Sequence, residues 1–148
     1  MTHSRKLFAD TSYFYAVFDG NDQNHAQAMQ YSQYVANKNI GLICSWEIIV
    51  ETVTLLLYRF NAISSREFIK NVLPGLEIIY IDDSVRTKAL TQFQKYSKDK
   101  KISLCDVISS VLIKDHLHHL KCLAFDDDFG RLGLDILTRH DMADEMTH

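Results

Sequence analysis

Leu7-Phe8-Ala9-Asp10-Thr11-Ser12 is the stretch on which the reading of this chain turns. Three apolar residues followed by an acid read as a buried strand that leaves its sheet at Asp10. The apolar run Tyr13 to Phe18 then reads as a helix, with Ser12 placed to cap it. A carboxylate at the C-terminal end of a parallel strand stands where open α/β sheets hold ligands and catalytic groups. The competing reading makes Asp10 itself a helix cap and nothing more. What separates the two is whether other acids reach the same edge.

The rest of the chain supplies such an edge. Ile40 to Cys44, Leu76 to Ile81 and Cys122 to Phe125 read as three further strands, and Leu134 to Leu137 as a fifth at the sheet margin. Helices are expected over Gln23 to Asn37 behind Asp22, Trp46 to Arg59 behind Ser45, and Ser65 to Asn71 behind Ser64. Two more follow over Ser84 to Lys98 behind Asp82 and Leu104 to Leu117 behind Ser103. Strands that alternate with helices imply βαβ units and an α/β fold whose parallel sheet of four to five strands is covered on both faces. One domain is expected over 1–148, with its core in about 6–138 and a polar, peripheral tail over 139–148.

Composition bounds the function. With 47% hydrophobic and 24% charged residues, the chain has the make-up of a globular protein with a real core. Its net charge of −3 gives no bulk attraction for a polynucleotide, so a nucleic-acid substrate requires a local basic patch or bound cations. Arg59, Arg66 and Lys70 could form a basic face for RNA, and a solvated helix face is the favoured reading. Cys44, Cys105 and Cys122 lack metal-ligand spacing and sit in apolar surroundings, which fits free thiols in a reducing compartment. No signal peptide and no membrane span is read, and a cytoplasmic location is expected. His116, His118 and His119 suit the C-terminus of the helix that precedes them.

The acids carry the chemistry. Glu51 lies within an apolar helix between Val50 and Thr52, Asp106 lies near the start of a later helix, and Asp126-Asp127-Asp128 follows the last buried strand. A carboxylate in an apolar segment is costly unless it is paired or bound to a metal, and no base stands at the favoured spacing from Glu51 or Asp106. In a parallel sheet, Asp10, Asp106 and the last aspartates converge on one edge, and Glu51 leans over it. Their mutual repulsion raises their pKa values, and a hard divalent cation removes that penalty. Oxygen ligands without His or Cys suit Mg²⁺, with Mn²⁺ possible, rather than Zn²⁺. Such a site suits phosphodiester hydrolysis.

At these residues the chain resembles PIN domains, and among them the VapC toxins of bacterial type II toxin–antitoxin pairs. The motifs in order are Phe8-Ala9-Asp10-Thr11-Ser12, then Asp22 and His25, and then Glu51 in Ile49-Val50-Glu51-Thr52-Val53. Asp106 follows in Ser103-Leu104-Cys105-Asp106-Val107-Ile108, and Phe125-Asp126-Asp127-Asp128-Phe129 with Gly133 closes the set. Ala124 departs from the Thr that many members carry there. The resemblance implies a three-layer α/β/α sandwich and a metal-dependent endoribonuclease. Asp10 and Asp106 would be the principal Mg²⁺ ligands, with Glu51 and Asp126 or Asp128 completing the acidic pocket. It further implies an RNA substrate, a cognate antitoxin and a homodimer, for which the aromatic helix Tyr13 to Phe18 is the candidate contact. Two alternatives stand beside this: a catalytically silent binding module of the same fold, and an RNA-processing nuclease without an antitoxin.

Overall fold

The computed structural model describes residues 5–146. Four parallel strands form the sheet: β1 (Lys6–Ala9), β2 (Gly41–Ser45), β3 (Glu77–Ile79) and β4 (Cys122–Leu123), in the order β3-β2-β1-β4. β1 is central, and its Leu7, Phe8 and Ala9 are buried because helices cover both faces. Phe8 sits opposite Ile43 on one side and Cys122 on the other. Phe8→Ala is expected to cost about 3–5 kcal/mol of stability, read as a lower urea midpoint with unchanged slope.

From β1 the chain builds outward through β2 to β3, then crosses back to place β4 on the far side of β1. Right-handed crossovers put the helices of the first half on one face and those of the second half on the other. The first set is α1 (Thr11–Phe18), α2 (His25–Asn37), α3 (Trp46–Arg59) and α4 (Ala62–Glu67), with α1 packed on α2 and α3, and α3 on α4. The second is α5 (Asp83–Tyr96) packed against α6 (Leu104–Asp115). The reversal of direction between β1 and β4 opens a crevice at their carboxyl ends.

Several local expectations are corrected. α4 starts earlier than Ser65: Asn61 Oδ1 accepts from the Ser64 N–H at 2.7 Å and is the cap, and Ser64 is buried within the helix. A π-helical turn (Phe68–Val72) and a 3-10 turn (Leu73–Gly75) follow, because Phe68 must reach the core, where it is fully buried, before Pro74 ends the run. Asp22 does not cap α2. Its Oδ1 accepts from the Asn24 N–H at 2.8 Å, in the turn just ahead of the helix. The fifth strand is reduced to a single parallel bridge, Ile136 opposite Cys122. α6 ends at Asp115, and His118 and His119 take positive φ of 52° and 57° beyond it.

The polar tail is not featureless. After α7 (Asp127–Arg131), residues Arg139–Met146 form α8. Thr138 and Asp141 cap it reciprocally: Asp141 Oδ2 accepts the Thr138 N–H at 2.8 Å, and Thr138 Oγ1 accepts the Asp141 N–H at 3.2 Å. Met142 packs against the core, and Lys121 pairs with Asp141 at 2.8 Å. The aromatic run of α1 is also not an open surface. Tyr13 and Phe14 are buried, and Phe14 and Phe18 pack edge-on against Phe68. One side of this helix is core and Tyr15, Val17 and Phe18 are half-buried, so it is less open than the dimer contact expected of it.

Candidate metal centre

The carboxyl ends of β1 and β4 meet at Asp10, whose backbone N–H donates to the Leu123 carbonyl at 3.0 Å. Asp10 caps α1 and also lines the cavity at this edge. Its Oδ2 accepts from the Ser12 N–H at 3.1 Å and the Ser12 hydroxyl at 2.6 Å. Ser12, expected as the cap, lies inside the first turn, and its Oγ also accepts from the Phe125 N–H at 2.9 Å. One hydroxyl thus ties the β1 acid to the segment after β4. Ser12→Ala is expected to cost about 1–2 kcal/mol, measured by chemical denaturation, because it strands the Phe125 N–H and one lone pair of Asp10.

The other oxygen of Asp10, Oδ1, is buried with no hydrogen-bond partner among the described residues. Burial above all, with Glu51 and Asp126 adding to it against the Ser12 hydrogen bonds, pushes the Asp10 pKa up to about 6. Asp106 stands in the first turn of α6, where Ser103 Oγ accepts its backbone N–H at 3.1 Å. Burial first, then the charges of Asp10 and Asp126, push its pKa up to about 7. Asp126 caps α7 by accepting the Asp128 N–H at 3.0 Å. Asp128 is raised by desolvation and then by Asp126, against Arg131, which pairs with it at 3.3 Å.

Carboxylate oxygens of Asp106, Asp126 and Asp128 all lie within 4.8 Å of one another. Asp10 and Glu51 lie outside that triad but line the same cavity, of about 500 Å³. Asp127 is exposed, so the last motif turns its first and third acids inward and its middle one out. Thr11 is fixed between helices: its hydroxyl donates to the Ile48 carbonyl at 3.5 Å and accepts from Thr52 at 3.2 Å. Cys105 lies against Glu51, and burial followed by the charges of Glu51, Asp10 and Asp106 keeps its thiol protonated.

The residues present fit a hard divalent cation. The donors are all carboxylate oxygens, a buried oxygen of Asp10 has no partner, and repulsion is built into the group. Two cations line the cavity beside the acids. Arg59 is exposed, as a solvated face requires, and of the three cations read as a basic or solvated face it alone lines the cavity. Glu51, Leu55 and Arg59 are spaced i, i+4, i+8 on α3, and all three line the cavity. Lys101 also lines it, from the segment just ahead of the Ser103 cap.

Known proteins match the greater part of the chain. The sequence fits the family model of the PIN domain over residues 7–134. The chain belongs to the PIN domain family. A VapC ribonuclease of Archaeoglobus fulgidus is 29% identical to it over 124 residues, covering 82% of this chain and 77% of that protein. The crystal structure of Mycobacterium tuberculosis VapC20, described as a sarcin–ricin-loop-cleaving toxin, superposes with a TM-score of 0.76 at 20% identity. That match covers 88% of this chain and 98% of VapC20, and it carries the fold. In this chain the four-stranded parallel sheet between helical layers brings acids distant in sequence to one edge.

Proposed function

We propose that this chain is a metal-dependent endoribonuclease, with Mg²⁺ as its ion and Mn²⁺ as a substitute, acting as the toxin of a toxin–antitoxin pair. The observation that carries the reading is the carboxylate triad of Asp106, Asp126 and Asp128 beside the unpartnered oxygen of Asp10, in a chain of the PIN family. The VapC ribonuclease relative supports RNA as the substrate.

Asp10, Asp106, Asp126 and Asp128 would hold the cation, and Glu51 completes the acidic wall. A bound divalent ion supplies Lewis acidity: it activates water and offsets charge on the phosphate and the leaving oxygen. The chain's own part is positioning. Ser12 fixes Asp10 and the Phe125 segment relative to each other, and the Ser103 cap fixes the turn that bears Asp106. Water would attack phosphorus in line, Glu51 or an aspartate of the last motif would take its proton, and the bond to the 3′ oxygen would break as that oxygen takes a proton from solvent.

A protein partner is supported by a concentration of exposed apolar side chains at the end of α3 and beyond: Leu57, Tyr58, Phe60, Ile63 and Ile69. We place the antitoxin among such partners. A homodimer and a cytoplasmic location belong to the same reading. No helix among the described residues is long and apolar enough to cross a membrane.

The test has two arms. Purified protein with Mg²⁺ is expected to cut RNA, to stop in EDTA and to recover with Mg²⁺ or Mn²⁺. Calorimetry that detects no Mg²⁺ or Mn²⁺ binding would favour a silent binding module instead. Expression with and without the neighbouring short gene reads the pairing: growth arrest that this gene does not relieve would remove the antitoxin and leave a processing nuclease.

A further inference from the structure

Six carboxylates line the acid cavity, and the cations among its lining residues are Arg59 and Lys101. In such company both should pair with an acid, as cations do elsewhere on the chain in Lys6–Glu77, Lys88–Asp115, Lys121–Asp141 and Arg131–Asp128. They do not: among the described residues neither makes a side-chain hydrogen bond or ion pair. Both are exposed, so they extend into solvent at the cavity rim instead of folding onto the acids below. We propose, resting on the ribonuclease reading, that Arg59 and Lys101 are the phosphate-binding residues of this cavity and hold the substrate backbone across the carboxylates.

The placement supports different tasks for the two. Arg59 lies two turns beyond Glu51 on the same stripe of α3, about 12 Å along the helix axis. That reach takes it past the reacting phosphate to a neighbouring one. Its planar guanidinium offers paired donors to two phosphate oxygens. Lys101 precedes α6, which covers the other face of the sheet, and so approaches from the opposite wall beside Asp106. It acts as a point charge with rotatable donors. The pair also answers a problem of charge. The chain carries a net −3, so a polyanion is not drawn by the molecule as a whole. Two unpaired cations at the mouth of the cavity give the backbone a local reason to settle over a site that is otherwise repulsive.

The alternative role is internal, with the two cations only softening the repulsion among the acids. The two roles move different quantities. Cleavage of a short fluorescent single-stranded RNA should be followed at saturating Mg²⁺ and graded KCl, for wild type, Arg59→Ala, Lys101→Ala and Arg59→Lys. For each alanine variant KM is expected to rise on the order of tenfold, with kcat falling far less, and the slope of log KM against log salt to drop by about 0.7 for the lost phosphate contact. Arg59→Lys should keep the slope and raise KM, because the charge stays and the paired donors go. Wild-type KM and slope in both alanine variants would overturn the proposal, and would point to an acidic protein segment as the anion these residues meet. A shift in Mg²⁺ affinity by calorimetry with no change in salt slope would assign them the internal role. RNA binding read by anisotropy separates the two layers of inference. A wild type that binds RNA through these residues without cutting it overturns the ribonuclease reading alone, and one that binds no RNA overturns both.

Discussion

Asp10→Asn is expected to lower RNA cleavage by about 100-fold or more and, in the same protein, to raise its stability in the absence of metal. The two signs come from one fact. Asp10 is 2% exposed, its Oδ1 has no partner among the described residues, and burial holds its pKa at about 6. At pH 7.5 it is ionised in a place that disfavours its charge. An amide of the same shape keeps an oxygen to accept from Ser12 and removes the charge. The expected gain is on the order of 1–3 kcal/mol at pH 7.5 in EDTA, read from urea denaturation. Asp10→Ala should not share the gain, because it removes the acceptor for the Ser12 N–H and hydroxyl. Asp106→Asn should behave as Asp10→Asn does, since it too is buried and raised. Cleavage that survives both amide changes sinks the metal-centre assignment. Loss of cleavage with a matching loss of stability would mean that the acids serve the fold.

The carboxyl edge was legible in the sequence because each of its acids interrupts an apolar segment or ends one. Asp10 follows Leu7-Phe8-Ala9, Glu51 interrupts an apolar helix, and Asp106 precedes a run buried through Ile113. The parallel sheet was legible for the same reason, from apolar runs too short for helices set between capped helical patterns. Caps were read less well. Asp, Asn and Ser can each cap, so composition cannot choose among Asp10, Thr11 and Ser12, or between Asn61 and Ser64. The choice at Asp10 was made by tertiary structure: the Phe125 N–H needs Ser12, and so the acid accepts the cap bond. The aromatic run of α1 misled in another way. Its pattern shows apolar character but not which neighbour covers it, and Phe68 does so from fifty residues away. Arg59 was legible only as one of three cations on a basic or solvated face, because nothing in the sequence shows that it alone of the three lines the cavity.

The pH dependence of stability should reverse when the metal is added. In EDTA the sign follows from the raised carboxyls. Asp10 goes from 3.8 to about 6 and Asp106 from 3.8 to about 7, so between pH 4 and 7 the folded chain holds protons that the unfolded chain has released. Stability therefore falls as pH rises through that window, by at most about 1.4 kcal/mol per pH unit for each acid, and levels off above it. Asp115 and Asp141 run the other way, lowered by Lys88 and Lys121, and their contribution is lost only in more acidic solution. A thermal scan in EDTA should thus give a higher Tm at pH 5 than at pH 7.5. Millimolar Mg²⁺ favours the ionised acids, so its stabilisation grows with pH and reaches about 2.7 kcal/mol where the ion stands at a hundred times its Kd. At pH 5 protons compete for the same oxygens and the ion should add little. Asp10→Asn should flatten the EDTA profile and also shrink the Mg²⁺ increment, because one residue carries both effects. A Tm at pH 7.5 that ignores Mg²⁺, together with an EDTA profile that ignores Asp10→Asn, would show that these carboxylates are neither strained by their neighbours nor relieved by an ion.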